Sequence, residues 1–215
     1  MTKKLLITTG LLILSIFVYY IIILFIARGD THDLVDEVLS SDKIKLELND
    51  LTQEQIDILL RVQDPNFYNH PGVDFNTPGT GVTTISQGLV KMYYFKNFAP
   101  GIQKVEQTLV ARFAFDPLVP KDTILKLFIN EVYLGEQQGK PLKGFADASE
   151  YYFKKDFKHL NADEYLSLVS MIRAPFKFHY LNKKAKNLER VNRIKKVLSG
   201  EYIPIENSDI YYDSR

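Results

Sequence analysis

The 215 residues include no cysteine. Disulfide staples, thiolate zinc sites and a cysteine nucleophile are therefore all excluded. No internal repeat or low-complexity segment stands out, and 46% apolar with 25% charged residues is the composition of an ordinary folded chain. The length suits one domain with a sizeable core. A large excess of one charge is also missing. All 26 acidic residues follow Arg28, and once Lys3, Lys4 and Arg28 are set aside from the 27 basic ones, 24 remain. Nothing here gives the concentrated basic face that nucleic acid requires, so no nucleic-acid partner is expected. Lysines are nevertheless uneven: Lys91, Lys96 and Lys104 flank an aromatic segment, and Lys154, Lys155 and Lys158 form a second group. Solvated helix faces are the plain explanation for both.

One long stretch lacks charge altogether. After Met1-Thr2-Lys3-Lys4 comes LLITTGLLILSIFVYYIIILFIA, residues 5–27, relieved only by Thr8, Thr9, Ser15 and two tyrosines. At a helical rise of about 1.5 Å per residue, such a run crosses a hydrocarbon core of roughly 30 Å, which predicts a transmembrane helix. It is too long for the apolar region of a cleaved signal peptide, and no small-residue cleavage site precedes Arg28-Gly29-Asp30. Lys3 and Lys4 favour a cytoplasmic amino terminus, with the rest of the chain outside. The expected organisation is a short tail and anchor over 1–28, a polar stalk over 29–50 ending in an extended IKLELN, a folded domain over 51–200 and a tail over 201–215.

Strand signals are few, and the folded part reads as mainly α. Thr52 with Gln55 forms a capping box ahead of the apolar face Leu51, Ile56, Leu59, Leu60 and Val62. TTISQGLVKMYYF is helix-like despite Gly88, and a further helix covers about 101–115. Pro120 opens KDTILKLFINEVYLG, where Ile124, Leu127, Phe128 and Val132 share a face and Gly135 supplies the stop. Asn161 with Glu164 caps ADEYLSLVSMIRA, and Leu188, Val191, Ile194 and Val197 stripe a last helix closed by Gly200.

The stretch VQDPNFYNHPGVDF, residues 62–75, sets two aromatics, acids and a histidine among two prolines and a glycine. Taken alone it reads as a turn in which Phe67 and Tyr68 anchor a loop. Its companions change that reading. QDPNFYNHPG (63–72), GVTTISQGLVK (81–91), KVEQTLVA (104–111) and KDTILKLFINEVYLG (121–135) follow in order. Together they resemble the peptidoglycan glycosyltransferase family, found in monofunctional transglycosylases and in class A penicillin-binding proteins. Asp64, Phe67, His70 and Gly72 match its first motif. Gly81, Thr83, Thr84, Ile85, Ser86, Gln87, Leu89 and Lys91 match the second, Glu106 the third, and Ile124, Leu125, Phe128, Ile129, Asn130, Tyr133, Leu134 and Gly135 the fourth. GFADASEYYFKK and LSLVSMIRAPFKFHYLN resemble later segments of the family, so the likeness covers about 50–200.

The resemblance implies a lysozyme-like helical lobe with a small membrane-proximal jaw that contains MYYFKNFAP, residues 92–100. It implies attack by the 4-hydroxyl of one lipid-linked disaccharide on the anomeric carbon of another, with inversion and loss of lipid pyrophosphate. The setting would be the bacterial cytoplasmic membrane, with the domain on its outer face and membrane lipids alongside. A carboxylate must take the proton, and cations must stabilise the leaving pyrophosphate. Lys91 and Lys104 are the pyrophosphate candidates, with magnesium or manganese as a further source of positive charge. Thr83, Thr84 and Gln87 are candidate donors to sugar or phosphate oxygens, Asp64, Phe67 and His70 belong to the same substrate cleft, and Asn130 is expected to brace helices. The chain departs from the family at the general base, where Gln63 stands in place of glutamate; Gly88, Ile102, Gln103 and Lys154 are further departures, and two extra residues fall within DPLVP. Glu106 is the carboxylate that remains. The alternative is a degenerate homologue that holds lipid-linked precursor, or docks on another cell-wall synthesis protein, without turnover. A lysozyme-type hydrolase would need a second carboxylate across the scissile bond. The penicillin-binding half is not represented: SSDK at 40–43 fits S-x-x-K by chance, and no K-T-G follows.

Overall fold

The computed structural model describes residues 2–213; Met1, Ser214 and Arg215, at the ends of the expected anchor and tail, lie outside it. The architecture is mainly α. Helix α1 runs Thr2–Leu39, about 57 Å at the α-helical rise, and is long and apolar enough to cross a membrane. It continues through 29–39, which composition assigns to the stalk. The reason is a second pattern below the apolar run. Ala27, Thr31, Val35 and Val38 are buried, with Ile23, Leu24 and Leu34 partly so, and this i, i+3/i+4 spacing gives one face that packs on the folded domain.

Next come a 3₁₀ turn at Leu48–Asp50 and α2, Gln53–Gln63. The expected Thr52–Gln55 capping box is formed. IKLELN makes no strand, yet Asn130 holds it in place: Oδ1 accepts from the amides of Lys45 and Leu46, and Nδ2 donates to the carbonyls of Leu46 and Lys126. Helix α3 is Ile85–Tyr94 and α4 is Ile102–Val110. A π-helical turn, Ala111–Phe115, then leads into the short α5, Asp116–Leu118, so the extra residues of DPLVP fall where the helix is already irregular.

Helix α6, Lys121–Glu131, stops before Gly135. Residues 133–137 instead form β1, Tyr133–Gln137, paired antiparallel with β2, Lys140–Lys143. Gln138 and Gly139 both have positive φ, the requirement of a tight two-residue hairpin turn. Helices α7, Phe145–Phe153, α8, Ala162–Met171, and α9, Lys184–Leu198, complete the order, with the Asn161–Glu164 capping box in place at α8. On α9, Leu188 is exposed while Val191, Ile194 and Val197 are buried. Asn187 takes the inward position, donating to the carbonyls of Ser167 and Phe178 and to Ser170 Oγ. The core runs from Leu59, Val62 and Phe67 through Ile85, Leu89, Ile124 and Leu125 to Phe145, Tyr165 and Ile194.

Candidate active site

Residues 63–72 form a hub. Helix α2 ends at Gln63 because Asp64 leaves helical geometry. The Asp64 carboxylate is fully buried. Its Oδ1 is 2.9 Å from His70 Nε2, and its Oδ2 accepts from the amide of Ile85 at 2.9 Å. The second bond sits at the amino-terminal end of α3, where free amides and the helix dipole favour an anion. Phe67 is buried beneath, with the Lys121 ammonium 4.6 Å from its ring centre. Lys121 also donates to the His70 carbonyl and to Asp116 Oδ2, and Asp116 accepts from Ser86 as well. Gly72 has φ +87°, and a Cβ there would lie 2.4 Å from the Ala111 carbonyl oxygen. Only glycine lets the chain return so close to the π-turn.

Thr84 and Gln87 belong to this hub. Thr84 caps α3, donates to the Gly72 carbonyl at 2.6 Å and forms a capping box with Gln87. Gln87 Nε2 donates to Thr108, and Gln107 donates to the Gln87 carbonyl. Both Thr84 and Gln87 are fully buried, and their polar atoms are occupied within the protein.

Thr83, Lys91 and Lys104 lie elsewhere, towards the surface. Lys104 Nζ donates to the Val82 carbonyl, Thr83 Oγ1 and Gln107 Oε1, at 3.1, 3.1 and 2.9 Å. All three acceptors are neutral. Burial holds the Lys104 ammonium below its ordinary pKa, and repulsion from Lys91 adds to the effect. Lys91 is exposed, 5.1 Å from the centre of the Phe98 ring. Among the described residues neither lysine has a carboxylate in salt-bridge range.

Gln63 and Glu106 occupy two further settings. Gln63 is 8% exposed, and its Oε1 has no hydrogen-bond partner. Its backbone carbonyl accepts from Arg173 Nη2, which also reaches the carbonyls of Val62 and Gly79. Burial pushes the Arg173 guanidinium below its usual pKa. Glu106 faces α1, where Tyr19 donates to its Oε1 at 2.6 Å. No hydrogen bond joins Glu106 to the hub among the described residues.

Tyr19, Arg173, Ser86 as a partner of Asp116, and the segment after α9 escaped the sequence reading. That segment accepts from the amides of Gly79 and Gly81 through the carbonyls of Glu206 and Asn207, and the Ile210 carbonyl accepts from buried Arg190. Only the basic residue in the otherwise apolar MIRAP offered a signal for Arg173. Among the described residues no three His, Asp or Glu side chains gather as metal ligands.

Comparison with known proteins supplies the family context. A family described as transglycosylase matches residues 32–199. The chain is similar to penicillin-binding protein 1B of Buchnera aphidicola subsp. Baizongia pistaciae, 32% identical over 156 residues, which is 66% of this chain and 21% of the relative. It is 29% identical over 161 residues to penicillin-binding protein 1B of Escherichia coli, covering 69% and 19%. It is 25% identical over 175 residues to penicillin-binding protein 1F of Bacillus subtilis, covering 75% and 24%. The chain thus spans about a fifth of the length of these curated relatives.

Proposed function

The chain belongs to the transglycosylase family, and from that membership we propose that its outer domain holds lipid-linked peptidoglycan precursor and joins it into glycan at an impaired rate. The observation that carries this reading is the pair Lys91 and Lys104. An exposed cation and a half-buried one held only by neutral acceptors, with no carboxylate in salt-bridge range, favour an anion between them. A pyrophosphate would draw on both, Lys104 exchanging one of its three neutral acceptors for it, and charge-assisted contacts of this kind are the stronger class of hydrogen bond. Thr83 orients Lys104, while Asp64, His70, Phe67, Thr84 and Gln87 fix the frame on which the cations stand.

In the reaction, the acceptor 4-hydroxyl forms a bond to the donor anomeric carbon, the bond from that carbon to the pyrophosphate oxygen breaks, and lipid pyrophosphate leaves. The hydroxyl proton needs a base. At position 63 the side chain is an amide, which has no basic lone pair at physiological pH, so the proton must pass to water or to Glu106. No step is assigned to a metal ion. The amino terminus is cytoplasmic in this reading, with the domain on the outer face of the membrane.

A second reading, a precursor-binding homologue without turnover, is favoured by the same amide. The test uses the full chain with labelled lipid-linked disaccharide, with and without magnesium or manganese, scoring binding and glycan length together. Binding with slow polymerisation supports the first reading, and binding with none the second. No binding contradicts both.

A further inference from the structure

Helix α1 does more than anchor. Three of its polar side chains reach the domain: Tyr19 to Glu106, Arg28 Nη1 to the Phe113 carbonyl, and Thr31 to the Tyr94 hydroxyl. Tyr19 is the exceptional one, because it lies inside the uncharged run 5–27 and its partner is a carboxylate that is only 8% exposed. A buried carboxylate needs hydrogen bonds to offset the water it has lost. Among the described residues the Tyr19 hydroxyl is the only donor to the Glu106 side chain. The adjoining cavity, about 350 Å³, is lined chiefly by Ile23, Ala27, Tyr93, Tyr94 and Val110, has Asp30 as a second acid and offers Glu106 no cation.

We propose that Tyr19 is a positioning residue, so that the membrane-spanning helix completes the site by fixing the Glu106 carboxylate. The proposal rests on the reading of Glu106 as the carboxylate that serves the substrate. With the hydroxyl in place, Oε1 is held and Oε2 is left for a proton or a substrate hydroxyl. Without it, the carboxylate loses its one fixed bond and can rotate away.

Two readouts on the full chain test this. The first needs no activity: labelling of Glu106 by a hydrophobic carbodiimide, read by peptide mass spectrometry. Tyr19→Phe should speed labelling several-fold, while Tyr20→Phe, whose ring lies beside Tyr19 without bonding Glu106, should not. The second is glycan polymerisation in a Gln63→Glu background. There Tyr19→Phe should lower kcat about 10- to 100-fold, as misplacement of a reacting group does, with KM unchanged. Combined with Glu106→Gln, it should add nothing to the loss from Glu106→Gln alone. Unchanged labelling overturns the proposal, and so does an unchanged kcat in an active background. If no variant makes glycan, the functional reading of Glu106 falls and the proposal falls with it, faster labelling then showing only that Tyr19 holds the carboxylate.

Discussion

The hub around Asp64 and the surface around Lys91 and Lys104 are built on opposite electrostatic terms. In the hub each carboxylate has its donors: Asp64 has His70 and the Ile85 amide, and Asp116 has Ser86 and Lys121. Towards the surface, two ammonium groups have no acid between them, and apolar Val82, Ile102 and Val105 stand exposed nearby in the chain. Paired charge makes a frame, and in the reading proposed above the two ammonium groups without an acid beside them take the anion. Many of the motif letters that mark the family therefore serve the frame.

That contrast can be broken by substitution. The largest effect is expected in the hub. Asp64→Ala leaves the Ile85 amide and His70 Nε2 as buried donors without their partner, at about 1–3 kcal/mol each, so denaturant unfolding should show a loss of several kcal/mol. Stability within about 0.5 kcal/mol of wild type, the range of an ordinary surface change, would contradict the hub's role. Lys91→Ala should behave in the opposite way. Stability should be unchanged, while affinity for a phosphoglycolipid or the lipid-linked precursor falls by the equivalent of about 1.5–3 kcal/mol. Unchanged affinity in a binding titration would remove Lys91 from the site. Thr84→Ala sharpens the contrast within the second motif. Loss of the cap should cost about 1 kcal/mol of stability, with precursor affinity altered far less than by Lys91→Ala.

The smallest expected effect is one of pH. Lys104 has a folded-state pKa below its ordinary value through burial and then Lys91. The unfolded chain therefore holds the proton to higher pH than the folded one. The folded state carries a penalty while Lys104 is charged, and this penalty is relieved as pH rises through the lowered value towards the ordinary one. Anion binding favours the charged form, so precursor affinity should fall across the same window. In Lys104→Gln that fall should shrink, and an identical profile in both proteins would exclude Lys104 as its source.

Much of the frame was legible because it is written in local chemistry. Capping boxes at Thr52 and Asn161 need residues only three apart, and the span at 5–27 needs only the absence of charge. What escaped the reading depends on distant partners. Residues 29–39 have a polar composition, and their helical face becomes visible only against the domain that covers Thr31, Val35 and Val38. Leu188 fits the apolar stripe, yet Asn187 is inward because its amide answers three acceptors around α8. The hairpin at 133–143 was hidden by a motif that reads as continuing helix. Thr84 and Gln87 were legible as motif letters, but their letters do not say that the cap occupies them. Tyr19 had no signal at all, since its partner lies 87 residues away.

The most direct measurement compares wild type with Gln63→Glu in polymerisation of labelled lipid-linked disaccharide, with products resolved by length. General-base assistance is typically worth about 10²- to 10⁴-fold in rate. A wild-type protein that binds precursor but polymerises it very slowly, with a gain on Gln63→Glu that approaches this range, is the result expected. Wild-type turnover already at the rate of its relatives, and indifferent to Gln63→Glu, would contradict the account, because position 63 would then not be where a base is missing.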